Sequence, residues 1–454
     1  MRKSFAYLTL IAIMWSSTSQ AETLAEIYRQ ALQNDHKFKA ARAAYEADRE
    51  DEKIGLSGLL PQINGEASWQ DREDNDTGIR RNDPVNDRIE STTSGYKISL
   101  TQPLFDMAAW HSFKSGKLSR KVADAQLKTA QQSLIIRTAE AYFDVLRAID
   151  NFETAKAEEN ANSHQLEQSQ KRFEVGLTAI TEVHETQAAY DNSLARRLLA
   201  EGNVGITFEA LEVITGQSYR GVSPLKQDFP ISPPSPSNRK DWVDFATQNN
   251  FALAAASLGA EALRQVANQS KAAHYPKLVG NISYSDSNTD SNTNGTFITD
   301  VDTDGPSFGI TLSVPLFAGG RISASRRQAA NNYLESKENY LQTQRDIIQQ
   351  ARSLHLTVLT DVATVKARKQ AIKSNQSAVE ATKAGYDVGT RDLVDVLVAQ
   401  RSLYTAQSNY SDALYTYVLN TLKLKEVAGI LTEKDIAELD AWLDPSRSVN
   451  RLSM

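Results

Sequence analysis

Cysteine is absent from all 454 residues, which excludes disulfide staples and thiolate metal sites. Histidine occurs six times, at 36, 111, 164, 184, 274 and 355, and nowhere with HxxxH or HExxH spacing, so no zinc-type ligand set is offered. Basic residues are outnumbered 50 to 56, and this acidic balance argues against a nucleic-acid partner. Past residue 21 no stretch approaches 18 consecutive apolar residues, so a membrane span would have to be a β-barrel. No convergent His, Ser and acid constellation suggests catalysis, and the sequence implies neither an enzyme nor a cofactor.

The first residues do contain an apolar run, Phe5 to Trp15, preceded by Arg2 and Lys3 and followed by Ser19 and Ala21 at small-residue positions. That pattern is a secretory signal over residues 1–21, with a mature chain starting at Glu22. Without it the balance is 48 basic against 56 acidic residues, a net of −8.

Proline is sparse and unevenly placed: none lies between 103 and 224, and none between 315 and 445. Those gaps of 120 and 129 residues are free to be helix. In the first, Leu134, Ala141, Val145, Ile149 and Phe152 recur at coiled-coil-like spacing. Phe105 to Val175 and Gly320 to Val388 each read as one helix, the former about 105 Å long at 1.5 Å per residue. The gaps also match each other. "KRFEVGLTAITEVHETQ" (171–187) and "AGYDVGTRDLVDVLVAQ" (384–400) align at an offset of 213, with Phe173 on Tyr386, Gly176 on Gly389 and Glu182 on Asp395. Each is the turn of a helical hairpin, whose return helix runs to a capping glycine, Gly216 or Gly429.

Strand patterns precede each long helix. Ile63, Gly65, Ala67 and Trp69 alternate with polar residues, as do Tyr96, Ile98 and Leu100; the second copy repeats this at 278–284 and 308–314. Strands of about ten residues with one apolar face suit a lipid-facing barrel. The polar stretches 71–95 and 286–305 read as surface loops. The domain reading is therefore 22–222 as a first repeat, 223–240 as a Pro-rich linker, 241–430 as a second repeat and 431–454 as a C-terminal segment and tail. Pro103 and Pro315, lacking an N–H, are expected to end the ladders at the strand-to-helix junctions.

Four strands cannot close a barrel, and an open edge in lipid leaves backbone groups unpaired. The fold class expected is α+β, with long coiled-coil helices and four strands per chain. Twelve strands from a homotrimer leave the lumen that the Ser, Thr, Asn and Gly faces call for. A soluble periplasmic coiled-coil or adaptor protein without a pore is the rival reading.

The repeat, the "LPQING" and "YPKLVG" openings, the "QPLF" and "VPLF" junctions and the two tip motifs resemble the TolC-like outer membrane factors, the efflux and type I secretion channels. The resemblance spans the mature chain. It implies a homotrimer whose twelve-stranded barrel sits in outer-membrane lipid, a helical tunnel across the periplasm and an equatorial domain built from the linker and the C-terminal segment. Its partners would be a periplasmic adaptor and an inner-membrane transporter of RND, ABC or MFS type, with the tips opening like an iris. By the same resemblance Asp395 lines the pore constriction, with Asp392 one turn away, and Tyr386, Arg391, Glu182 and Gln165 form the gate network. Val398 stands where the family carries a second aspartate, Glu182 where it carries an aspartate, and Lys383 where it carries an acid. A plainer role competes for Asp392 and Asp395, since acids in a first turn stabilise the helix start, with Thr390 as the expected N-cap.

Overall fold

The computed structural model describes residues 22–80 and 83–451; the signal segment expected at 1–21 lies outside the described residues. In chain order the elements are α1 (Leu24–Asn34), α2 (His36–Asp48), α3 (Asp51–Ser57), β1 (Gln62–Arg80), β2 (Asp83–Phe105), α4 (Met107–Glu174), α5 (Ile180–Thr215) and β3 (Gly221–Val222). The second half follows with α6 (Arg239–Asn249), α7 (Phe251–Ala272), β4 (Lys277–Thr293), β5 (Thr296–Ser313), α8 (Arg321–Asp387), α9 (Leu393–Val427), α10 (Glu433–Asp440) and β6 (Val449–Asn450). The chain divides into two compact units: one holds the described residues up to Ala41, Thr129–Asn250 and those from Asp346 onward, the other Arg42–Lys128 and Phe251–Arg345.

The second unit carries the sheet, in the antiparallel order β1-β2-β4-β5. Its register aligns apolar positions of all four strands on one face. Ile63 lies opposite Leu100, Leu100 opposite Ile282 and Ile282 opposite Phe308. The row beside it, Asn64, Ser99, Ser283 and Ser307, is wholly polar. A slip of one residue would exchange the faces, so this matched alternation fixes the pairing. The apolar face is left bare: Ile63, Phe308 and Ile310 are 69, 75 and 72% exposed.

Two expectations are corrected here. The polar stretches 71–95 and 286–305 are not loops; among the described residues all but Asn294 and Gly295 are strand, and β1, β2, β4 and β5 run for 17 to 23 residues rather than about ten. A ladder is made of backbone groups and continues wherever cross-strand side chains agree, as Arg88 does with Glu73 at 2.8 Å and Thr92 with Asp71 at 3.2 Å. The second hairpin turns on Asn294-Gly295, both at positive φ, the pair a two-residue hairpin turn demands. Pro103 does not end its ladder either. It faces Val279, the register shifts by one residue, and Phe105 still pairs with Leu278, whereas Pro315 follows the last paired residue, Ser313.

The first unit holds the buried core. Helix α1 opens with a capping box between Thr23 and Glu26 and buries Leu24, Ile27, Tyr28 and Ala31 on one stripe. These join Tyr142, Phe143 and Leu146 of α4, Phe208 and Leu211 of α5, Val358 of α8 and Leu422 of α9. The Pro-rich segment is tied down by aromatic donors. The Tyr142 hydroxyl donates to the Ser223 carbonyl at 2.6 Å, Tyr417 to Ser232 at 2.9 Å and the Trp242 indole to Pro236 at 2.7 Å. A segment with no helix or sheet of its own thereby satisfies its carbonyls. Beside it β3 pairs with β6, and Arg451 reaches Glu212 at 2.6 Å. Asp35 is fixed between α1 and α2 by Arg137 at 2.9 and 3.0 Å and by the Phe38 N–H at 2.6 Å. Burial works to raise this carboxyl, but those bonds outweigh it and hold it below the ordinary carboxylate range.

Candidate functional site

Both hairpin tips are closed by the same backbone device. Gly176 and Gly389 take φ of 75° and 80°, the left-handed region that a residue with a Cβ enters at a cost. Around Gly176, the Leu177 N–H donates to the Arg172 carbonyl at 2.8 Å and the Gly176 N–H to Phe173 at 2.9 Å. Around Gly389, the Thr390 N–H donates to Gly385 at 2.9 Å and the Gly389 N–H to Tyr386 at 3.0 Å. Each pair is a Schellman motif, which satisfies the last carbonyls of the long helix within its own chain.

The return helices start differently. Helix α9 is N-capped by Asp392, whose carboxylate accepts from the Asp395 N–H at 2.9 Å; Thr390, expected in that role, instead donates its hydroxyl to the Gly385 carbonyl at 3.0 Å. Aspartate wins because the first helical N–H groups point at its side chain, two residues beyond the threonine. Helix α5 has Ala179 at the matching place and no side-chain cap. Three residues on, Glu182 and Asp395 occupy equivalent positions with different partners.

Glu182 accepts a hydrogen bond from the Tyr386 hydroxyl, which joins the return helix of the first hairpin to the long helix of the second. The Arg172 guanidinium lies over the Tyr386 ring, 5.1 Å from its centre. Burial first, then the bond and charge of Glu182, push the phenol up to about 12, so it stays a donor at every physiological pH. Asp395 instead pairs with Arg391 at 3.3 Å, an exposed contact one helical turn apart within the second hairpin. Arg391 crosses the space beside Gly385, where a Cβ would lie 2.8 Å from its Cγ.

Of the residues singled out by sequence, the fold joins Tyr386 to Glu182 and, separately, Arg391, Asp392 and Asp395 to one another. Gln165 is buried with its amide nitrogen unpartnered and bonds to neither group. Val398 is exposed on α9, one turn beyond Asp395. Arg172 is a site residue that the sequence patterns above do not mark. It aligns with Gly385 in the repeat, and the arginine-for-glycine difference beside an aromatic position was the available signal.

A four-stranded sheet with a bare apolar face, carried by a duplicated set of long helical hairpins, defines a channel subunit of the outer-membrane type. Comparison with known proteins agrees. The family model described as "Outer membrane efflux protein" matches residues 27–217 and 242–430, one segment in each repeat. Outer membrane protein TolC of Vibrio cholerae is 36% identical over 444 residues, covering 97% of each chain. Alkaline protease secretion protein AprF of Pseudomonas aeruginosa is 30% identical, over 91% of this chain and 85% of that one. Among solved structures, the Campylobacter jejuni CmeC outer membrane channel superposes with a TM-score of 0.75 at 18% identity, covering 98% of both chains. The chain belongs to the outer membrane efflux protein family. It is an exit duct of the Gram-negative outer membrane, and the soluble, poreless alternative falls away because the matched segments include both strand-bearing repeats.

Proposed function

We propose that three copies of this chain close a twelve-stranded barrel in outer-membrane lipid and that their helical hairpins converge as a tunnel gated at the tips. The observation that carries this reading is the open sheet, with edges at β1 and β5 and an apolar row on one face. Unpaired edge groups in hydrocarbon cost several kcal/mol each, on the order of a whole domain's stability over a strand, and closure with like copies removes them. Residues 22–222 and 241–430 act as the two repeats, with 223–240 and 431–454 forming a collar around them.

At the tips, the Tyr386–Glu182 bond and the Arg172 stack hold the hairpins closed, and Gln165 supports the first hairpin from within. Asp395 lines the constriction, with Asp392 positioning it through the helix start. An inner-membrane transporter of RND, ABC or MFS type and a periplasmic adaptor energise and open the duct, which itself catalyses no reaction. Likeness to a protease secretion protein supports a type I secretion role beside small-molecule efflux. Fractionation and planar-bilayer recording test the assembly: recovery as an outer-membrane trimer that passes current supports it, and recovery as a soluble monomer sinks it. For the constriction, Asp395→Ala should weaken block by divalent cations, and unchanged block would remove Asp395 from the pore.

A further inference from the structure

We propose that the cleft between the α4–α5 hairpin and α9 binds a small amphiphilic anion, its acid group at Arg401 and its apolar body on Val394, Leu397 and Val398. Two adjoining cavities, of about 280 and 360 Å³, share Glu158, Arg196 and Arg401 as wall residues. Together they are of the size that holds a drug-like molecule.

The charge of the cleft is not balanced. Glu158 is buried, and Arg196 bonds both of its carboxylate oxygens, at 3.2 and 2.6 Å, so that pair is neutral. Arg401 is exposed and meets no carboxylate among the described residues, leaving one positive charge uncompensated. A guanidinium offers a fork of N–H donors to the oxygens of an anion.

The remaining walls decide the rest of the ligand. Val394, Leu397 and Arg401 recur three and four residues apart on α9, and Val398 joins them, so the stripe places apolar carbons beside the guanidinium. Val394 and Val398 are 44 and 59% exposed, area that a ligand would remove from water. The amides of Asn162 and Asn192 are turned to the carbonyls of Ala189 and Ala188, at 3.3 and 2.7 Å, and the Tyr404 hydroxyl donates to Ala157 at 3.3 Å. A cation is repelled by Arg401, and a bare inorganic anion leaves the valines wet. A monoanionic carboxylate or sulfonate with an apolar body meets both the guanidinium of Arg401 and the apolar stripe of Val394, Leu397 and Val398.

The full chain in nonionic micelles, with naphthalene-1-sulfonate as probe and equilibrium dialysis against empty micelles, tests this. Saturable binding at one probe per chain is expected, weakened about tenfold by Arg401→Ala, the loss of one charged hydrogen-bond partner at a half-open site. Arg401→Lys keeps affinity within about threefold, and Val398→Asp weakens it as much as Arg401→Ala, since both set a cleft charge against the probe or take one away. No saturable binding, equal binding of neutral 1-naphthalenemethanol, or affinity indifferent to Arg401→Ala overturns the proposal. Binding is read without any current, so its failure would leave the duct reading intact.

Discussion

Single side chains at the tip divide into one cross-hairpin bond and several that serve their own hairpin. Tyr386 belongs to the first kind, because its hydroxyl reaches Glu182 across the two hairpins. Tyr386→Phe removes that donor and should free about 1 kcal/mol of closure per copy at this half-exposed place. Single-channel conductance of the resting duct should rise, and conductance identical to the parent would remove Tyr386 from the latch. Arg391→Ser loses only an exposed i,i+4 pair, about 0.3–0.5 kcal/mol, and should move conductance less. Asp35 lies away from the tip and bears on pH. Its carboxyl titrates below the ordinary range, so the stability it contributes is complete above about pH 4 and is lost as pH falls through the lowered value. Asp35→Asn should therefore cost about 1.5 kcal/mol at neutral pH, with the difference from the parent closing in acid, as thermal melts at pH 7 and pH 3 would register.

Elements were legible where backbone chemistry leaves a mark in residue identity. The proline-free gaps predicted α4 and α8 to within a few residues, because proline is the residue a helix interior cannot hold. Gly176 and Gly389 marked the turns because they alone accept a positive φ there without strain. Gly389→Ala should destabilise the tip by about 1–2 kcal/mol, while Gly385→Ala costs less because the atom it meets is in the flexible Arg391 side chain. Hydrogen exchange at 385–392 separates the two, and equal protection in both variants would contradict the backbone account. Strand ends were not legible. Residues 71–95 read as loop by their polarity, yet pairing depends on the facing strand, and the hairpin signal inside the second polar stretch is the single pair Asn294-Gly295. The contact of Arg172 with Tyr386 was hidden for another reason: it arises from how two hairpins lie together, which no single hairpin's pattern encodes.

At the scale of the whole molecule, the two faces of the sheet should respond oppositely to charge. Phe308 lies in the apolar row and Ser307 in the polar one, adjacent in sequence and opposite in direction. Phe308→Arg should cost about 2–4 kcal/mol if that row meets the bilayer midplane, and should sharply lower recovery from the outer membrane. Ser307→Arg should insert normally and alter conductance instead, and equal loss of both variants would mean the faces are misassigned. The tip closures have a consequence of their own. Since each tip bonds the Arg172 and Phe173 or the Gly385 and Tyr386 carbonyls with its own amides, pulling the two tips apart leaves those bonds in place. Movement at that end is a change of neighbours rather than a partial unfolding, and it can be repeated without the chain having to find its turn again.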